Sequence, residues 1–311
     1  MANITAKDVA ALRARTGLGM MDCKKALVEA DGDFDAAVKI LREKGLATAA
    51  KKESRIAAEG IVDILTVDNT TAMIEVNTET DFVAKNANFR EFVKGLLRTI
   101  VANKPESLEA FTALPFDGTE TTVANALVEK IAMIGEKISI RRFVIVEGVT
   151  STYIHGNGTT GVIVKFDAAP EVVAAPGFAE MAKNIALQIA AGSPPTYVAK
   201  SDVPQAAIDE EVAIQVTASK NDPKLASKPD AVLQKIVEGK LGKLFFEKVC
   251  LLEQAYVKED TISVGKYIEQ TAKTLGGEVK VVDFKIYEKG EGIQKREEDF
   301  AAEISKMVNK G

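Results

Sequence analysis

A repeat in the hydrophobic pattern limits the folds that are open to this 311-residue chain. Four landmarks recur 89 positions further along, where Phe89, Leu96, Ile100 and Pro105 are matched by Phe178, Ile185, Ile189 and Pro194. Each set follows a β-hairpin pattern, with predicted turns at Asp68-Asn69 and at Gly156-Asn157-Gly158. Self-similarity at a fixed spacing indicates an internal duplication. The sequence therefore predicts a core of two copies, each a β-hairpin followed by a helix.

An α+β fold is predicted around this core. The expected parts are an N-terminal domain of three helices, similar to the ubiquitin-associated type (1–54), the first repeat (55–147), the second repeat (148–203 and 256–290), a protruding helical hairpin (204–255) and a C-terminal helix module (291–311). The prediction of the N-terminal domain is based on N-cap signals at Thr5, Asp22 and Asp33 and on a helix stop at Gly45. Pro204 and Pro229 each open a polar helical pattern with a narrow apolar stripe, as expected for a helix with one neighbour.

The same patterns predict individual elements. These are the helices Val83–Ala102, Ile131–Arg141, Thr261–Leu275 and Glu298–Val308 and the strands Phe143–Val146 and Val279–Tyr287.

The charge balance and the rare residues exclude several classes of function. A formal net charge of -5 argues against direct nucleic-acid binding, because phosphate neutralisation needs a concentrated basic face. The single histidine, His155, leaves no second base for a Ser–His or Cys–His system. No metal-binding or phosphate-loop motif is present in the sequence. We therefore expect a protein that is not an enzyme and that holds no cofactor or metal.

Cysteine usage and hydropathy bear on location. Cys23 and Cys250 lie outside any metal-binding spacing, and so few cysteines suit a reducing compartment. The sequence does not decide whether the two form a disulfide. No stretch reaches about 18 consecutive apolar residues, and the first residues lack a signal-peptide pattern. We expect a cytoplasmic protein without a membrane span.

The two copies differ where the hairpin leads into the helix. The first copy reads Thr80-Asp81-Phe82-Val83-Ala84-Lys85, and the second reads Ala169-Pro170-Glu171-Val172-Val173-Ala174. Val83 is matched by Val172, whereas Phe82 is matched by Glu171. The shared scaffold therefore does not need an aromatic residue at this place. An exposed Phe82 beside a carboxylate would be a protein-binding anchor; the alternative is that Phe82, seven residues before Phe89, extends the core.

Two further positions leave a choice between core and surface. Met20 and Met21 follow a glycine loop and are adjacent, so we expect at least one of them to be exposed and to face a partner. His155 precedes the turn at Gly156, where it either packs locally or contacts a partner.

Several of these segments resemble the elongation factor Ts family. The two signatures are TGLGMMDCKKAL at 16–27 and TDFVAK at 80–85, and IGEKISIRR at 134–142, YIHG at 153–156, VEGK at 237–240 and FAAE at 300–303 are also similar to family segments. The resemblance runs along the whole chain. It implies a guanine-nucleotide exchange factor whose partner is elongation factor Tu, either bound to GDP or free of nucleotide.

The resemblance also implies roles for single residues. Asp81 and Phe82 are expected to enter the partner's G domain and to disturb its Mg²⁺ and phosphate site, with Thr80 and Val83 beside them.

Other residues are expected to hold the partner. Arg13, Met20 and Met21 would hold a helix of the G domain, and His155 would lie near the interface. A ubiquitin-binding or scaffold adaptor, based on the three N-terminal helices, is the alternative function. Self-association stays open.

Overall fold

The computed structural model describes residues 4–191, 193–222, 225 and 228–294. It mixes helices with small antiparallel sheets, which confirms the predicted α+β class. The described chain forms two compact units. The first comprises the described parts of 1–65, 72–144 and 288–311, and the second comprises those of 66–71 and 145–287. The five-part division predicted from the sequence stays a prediction.

The elements from the N-terminus to the middle of the chain are three helices, a hairpin, four helices and a strand. They are α1 Ala6–Thr16, α2 Met20–Glu29, α3 Phe34–Lys52, β1 Glu59–Val67, β2 Thr70–Thr78, α4 Asp81–Lys85, α5 Ala87–Asn103, α6 Leu108–Ala113, α7 Val123–Ile134 and β3 Ile138–Glu147. The first sheet has the strand order β1-β2-β3.

The three N-terminal helices form because local caps fix their starts. Thr5 and Asp8 make a capping box at α1, and Asp33 caps α3 with its side chain. The prediction that Asp22 caps α2 is wrong. The cap is Gly19, and the Asp22 amide already donates to the Gly19 carbonyl at 3.1 Å, so Asp22 lies inside the first turn. The core between the helices comprises Val9, Leu12, Cys23, Ala26, Leu27, Ala37 and Leu41.

Gly45 does not end α3, contrary to the prediction. The helix continues to Lys52, and Gly45 is buried in its middle. A Cβ atom at this position would lie 3.4 Å from a methyl group of Val128 and 3.5 Å from the Cβ of Ala132, both on α7. The missing side chain therefore lets α7 pack closely on α3, and this tertiary contact outweighs the helix-breaking tendency of glycine.

The first hairpin is present, but the helix predicted for Val83–Ala102 is two helices. The turn lies at Asp68, whose φ is 51°, and it joins β1 to β2. Asn86 then adopts extended backbone angles (φ −69°, ψ 129°), and its side chain accepts hydrogen bonds from the amides of Asn88 and Phe89. Because an asparagine side chain competes for backbone amides, it ends α4 and caps α5.

The second unit holds the second hairpin and a helix that covers it. Its elements are β4 Val149–His155, β5 Thr160–Ala168, α8 Pro170–Val173, α9 Phe178–Ala191, α10 Gln205–Lys220, α11 Asp230–Glu238, a π-helical turn Gly242–Phe246, α12 Glu247–Val249, β6 Ala255–Tyr256, β7 Glu259–Ser263, α13 Val264–Leu275 and β8 Val279–Glu288. β4 pairs antiparallel with β5, the sheet order is β4-β5-β8, and α9 packs on β4 and β5. Gly156, Asn157 and Gly158 all have positive φ, as the predicted turn requires.

Other predicted elements differ in their limits. The helix predicted from Ile131 ends at Ile134 because Gly135 adopts the left-handed conformation, and Arg141 lies on β3 instead. The helix predicted from Thr261 begins at Val264, because Thr261 belongs to β7 and the Ser263 side chain caps the helix. The structure confirms helix starts after Pro204 and Pro229, and α10 contacts α11. The predicted helix Glu298–Val308 lies outside the described residues, and Cys23 and Cys250 are both free and buried.

A buried carboxylate organises the first sheet. Glu75 on β2 has a side chain with no solvent exposure, and its oxygens accept from Arg141 Nη1 at 2.9 Å and from Arg142 Nε at 2.7 Å. The Gly290 amide donates to the same carboxylate at 2.8 Å, and Asn77 Nδ2 donates at 3.1 Å. Burial alone would raise the pKa of Glu75, but these hydrogen bonds outweigh it and hold the pKa below its ordinary value.

We expect Glu75→Gln to lower the free energy of unfolding at pH 7 by about 3–5 kcal/mol, because it removes the buried carboxylate that pairs with Arg141 and one of the carboxylates that pair with Arg142. Since the folded pKa of Glu75 is depressed, its stabilisation is present above the ordinary carboxyl pKa and is lost as the pH falls through the folded value. The measurement is urea unfolding at pH 7 and at several acidic pH values. The variant should lose less stability on acidification than the parent.

Glu29→Gln is the matched control. Glu29 forms an exposed ion pair with Lys44, so its loss should cost less than about 1 kcal/mol. Equal costs for the two substitutions would contradict the role of Glu75.

Candidate functional site

The Thr80–Val83 segment forms the start of a single helical turn that follows β2 directly. Thr80 is the N-cap of α4, with extended backbone angles, and its hydroxyl oxygen accepts from the Val83 amide at 3.4 Å. Ala84 is buried and Val83 is half-buried. Because Val83 and Ala84 pack against the protein, the rest of the segment faces outward.

Among the described residues, Phe82 has the most exposed of the large apolar side chains, with 80% of its surface accessible. The alternative that it extends the core is therefore wrong. In the second copy, Glu171 occupies the matching place on α8 and is also exposed, whereas Val172 is buried. The comparison of the two copies thus located the exposed position correctly. An aromatic ring with this exposure presents a large apolar surface to any protein that binds here.

Asp81 places a negative charge beside this ring. Its carboxylate pairs with Lys85 at 2.6 Å, one helical turn further on. The hydrogen bond from Lys85 holds the pKa of Asp81 below its ordinary value, so the group is ionised at neutral pH. The turn therefore offers an apolar ring and an anion side by side.

Glu136 holds the start of this turn, a contact that the sequence did not reveal. Its Oε2 accepts from the Thr80 amide at 3.0 Å, and its Oε1 accepts from the Thr80 hydroxyl at 2.7 Å. Glu136 and Thr80 are 56 positions apart, and no pattern links them in the sequence. The only hint was that Glu136 lies in the segment 134–142, which resembles the family.

The loop that carries Glu136 is tied down by its neighbours. The Lys137 amide donates to Glu79, and its ammonium group donates to the carbonyls of Glu53 and Arg55 at 2.6 and 2.9 Å. Lys52 donates to the Gly135 carbonyl. The loop thus joins the end of α3 to the residues just before α4.

The N-terminal candidates lie on the surface of α1 and α2. Met20 and Met21 are 51% and 62% exposed, so the prediction that at least one of them is exposed is confirmed for both. Arg13 follows the buried Leu12 on α1 and is exposed. A Cβ atom at Gly17 would lie 2.4 Å from Met133 Cε on α7, so the loop before the two methionines is packed against that helix.

His155 belongs to the second compact unit, whereas the other candidate residues belong to the first. It is exposed at the end of β4, and its Nδ1 lies 3.3 Å from the Tyr153 hydroxyl. This contact agrees with local packing, and His155 is still exposed to solvent. Whether His155 meets a partner stays a prediction.

The described residues offer little reactive chemistry. Within them, no group of three His, Cys, Asp or Glu side chains could hold a metal ion. Burial raises the pKa of the Cys250 thiol to about 11, so it stays protonated and is a poor nucleophile. No helix in the described ranges is both long and apolar enough to cross a membrane.

Comparison with known proteins gives a consistent result. The profile of the family described as "Elongation factor TS" matches residues 79–291. A protein named "Elongation factor Ts" from Syntrophotalea carbinolica is 46% identical over 311 residues, which cover 98% of this chain and 99% of the relative. Proteins of the same name from Symbiobacterium thermophilum and Clostridium botulinum (strain Eklund 17B / Type B) are 45% and 42% identical, and each alignment covers 99% of this chain. The alignments cover 99% and 100% of those two relatives.

We expect Phe82→Ala to change the free energy of unfolding by no more than about 0.5 kcal/mol, because the ring makes few contacts in the free chain. Phe89→Ala is the matched substitution in the core, where the ring has no solvent exposure. Its cost should be about 3–5 kcal/mol. Urea unfolding of both variants tests this, and a large loss for Phe82→Ala would show that its ring supports the fold.

Proposed function

The chain belongs to the elongation factor Ts family, and we propose that the Thr80–Val83 turn is the part that acts on its partner. Its function is guanine-nucleotide exchange on elongation factor Tu in translation elongation. No comparison supports the ubiquitin-binding alternative. Exchange needs no covalent chemistry from this chain, because it is enough to bind the nucleotide-free partner more tightly than the GDP-bound partner.

The observation that carries the proposal is the exposure of Phe82 on a turn whose backbone is already fixed. Because Thr80 is hydrogen-bonded before any partner arrives, little ordering of this turn has to occur on binding. The ring inserts into the G domain near its Mg²⁺ site, and Asp81 enters beside it. Thr80 and Val83 flank the inserted pair.

The partner's metal site makes such an insertion effective. Mg²⁺ requires near-ideal octahedral geometry and is held largely through phosphate oxygens and carboxylates. A small displacement of its surroundings therefore weakens nucleotide binding. The ionised Asp81 adds a charge of the same sign as the phosphates, which disfavours the GDP-bound state further.

The N-terminal surface of Arg13, Met20 and Met21 supplies affinity rather than displacement. Met side chains adapt their shape to a helix groove, and the guanidinium can pair with a carboxylate. His155 supplies a further contact from the second unit. Direct nucleic-acid binding and self-association are not needed for this function.

Phe82→Ala should lower the maximal rate of GDP release more than tenfold. The loss of an anchor of this kind costs roughly 2 kcal/mol, and here that energy is spent in the step that releases GDP. Stopped-flow measurement of a fluorescent GDP analogue leaving elongation factor Tu gives the rate. Asp81→Ala should act in the same direction and combine non-additively with Phe82→Ala.

Glu171→Ala is the matched control for this experiment, because it removes the exposed side chain at the equivalent place in the second copy. It should leave the rate unchanged. A parental rate for Phe82→Ala, in a chain that unfolds normally, would refute the role of the turn.

Met20→Ala and Met21→Ala should raise the concentration of the chain that gives half-maximal exchange by about fivefold each, with the maximal rate nearly unchanged. Removal of contacts that are equally strong before and during GDP release weakens binding only. Titration of the chain in the same stopped-flow assay separates the two parameters. Val28→Ala, at another exposed apolar position of α2, is the control and should have no effect. A loss confined to the maximal rate would contradict the assignment.

A further inference from the structure

We propose that Glu136 is a positioning residue that sets the orientation of the Thr80–Val83 turn, and this proposal rests on the function proposed for that turn. Glu136 touches neither the nucleotide nor the metal in this account. It acts through Thr80 on the ring that follows two residues later.

The geometry is that of a two-point grip. One oxygen of the Glu136 carboxylate accepts from the Thr80 amide at 3.0 Å, and the other accepts from the Thr80 hydroxyl at 2.7 Å. Both acceptors belong to one ionisable group, so both hydrogen bonds are strengthened by its charge. The grip fixes the backbone and the side chain of Thr80 at once.

This grip also determines how Thr80 caps the helix. A hydroxyl has one hydrogen, and here that hydrogen points to Glu136. The oxygen is thereby left with its lone pairs toward the Val83 amide, which donates to it at 3.4 Å. Without Glu136 the hydroxyl can rotate, and the Thr80 amide loses its acceptor.

α4 has little else to hold it in place. It is a helix of five residues, and a helix this short is unstable without outside support. Ala84 is its one buried residue, and its far end is held where Arg90 Nε donates to the Ala84 carbonyl at 3.1 Å. At the near end the Thr78 hydroxyl donates to the Thr80 carbonyl at 2.9 Å, and Glu136 holds the Thr80 amide and hydroxyl.

The start of the matching short helix in the second copy, α8, is fixed in a different way. α8 begins with Pro170 at its first position, and Ala169 before it makes no side-chain cap. Proline fixes φ covalently and needs no partner for its nitrogen. The copy that carries the exposed aromatic therefore uses a long-range carboxylate in place of a proline.

The remaining contacts of the 135–137 loop do not use the Glu136 side chain. Lys137 is held through Glu79, Glu53 and Arg55, and Lys52 donates to the Gly135 carbonyl. Removal of the carboxylate should therefore free the turn while the loop stays in place. This distinguishes positioning from general support of the fold.

The first test measures the orientation of the turn directly in the full-length chain. The sequence contains no tryptophan, so Phe82→Trp introduces a single tryptophan at the site, which can be excited selectively in the presence of the five tyrosines. In that background, Glu136→Gln should increase the amplitude of nanosecond depolarisation in time-resolved anisotropy. The glutamine oxygen can accept from the Thr80 amide, but its NH2 group cannot accept from the Thr80 hydroxyl, and the charge that strengthened both hydrogen bonds is lost. Glu106→Gln, an exposed carboxylate in the connection before α6, is the control and should leave the decay unchanged.

Identical decays for Glu136→Gln and its parent would overturn the proposal. Circular dichroism and urea unfolding check that each variant is folded. If Glu136→Gln does not fold, Thr80→Asp keeps an oxygen that can cap α4 but cannot donate to Glu136, whereas Thr80→Ser keeps both contacts. A decay that changes in Thr80→Asp and not in Thr80→Ser supports the proposal, and equal decays in both oppose it.

The second test uses exchange kinetics. Glu136→Gln should lower the maximal rate of GDP release from elongation factor Tu about fivefold, with the half-saturating concentration nearly unchanged. In a background that carries both Asp81→Ala and Phe82→Ala, the same substitution should have no further effect. Additive losses would show that Glu136 acts by another route and would overturn the proposal.

The two tests separate this proposal from the proposed function. If Phe82→Ala exchanges GDP at the parental rate, the turn is not the acting part, and the anisotropy still decides whether Glu136 positions it. If Phe82→Ala is impaired and Glu136→Gln is normal in both tests, the proposed function stands and the positioning role fails.

Discussion

The first sheet depends on a carboxylate without access to water, because this group joins β2 to β3 and to the chain after β8. The buried charge of Glu75 needs compensation, and its partners come from two distant parts of the sequence: Arg141 and Arg142 on β3, and Gly290 after β8. Every residue of β2 is buried, and this strand ends two residues before Thr80. The exposed turn therefore follows a strand that is buried along its whole length.

The turn combines this firm base with an exposed end. Thr80 is held by Glu136, the far end of α4 is held by Arg90, and Phe82 between them remains in solvent. An exposed aromatic on a mobile loop would lose conformational entropy when it entered a partner. Its position two residues beyond a doubly hydrogen-bonded cap would reduce that cost in the proposed encounter.

The local parts of this arrangement could be predicted from the sequence. The turn residues located both hairpin turns, and the mismatch of Phe82 with Glu171 between the two copies identified a side chain that the scaffold does not need. The break at Asn86 was missed because the apolar period continues through it, and only the backbone shows that its side chain captures two amides. The grip of Glu136 on Thr80 was missed because it joins residues 56 positions apart, and a single charged residue in a polar loop carries no signal of its target. Gly45 was wrongly predicted to end α3, because the sequence does not show that α7 packs closely against this position.

The exposed methionines of α2 have a chemical consequence. Thioethers that are 51% and 62% accessible are open to peroxide, and oxidation converts each into a polar sulfoxide. The two cysteines are buried, so an oxidant would reach Met20 and Met21 well before either thiol. Such a modification would alter an apolar surface without disturbing the core beneath it, and enzymatic reduction of the sulfoxides would restore it. Because Met20 and Met21 are proposed to bind the partner, the affinity for that partner would then depend on the redox state of the surroundings.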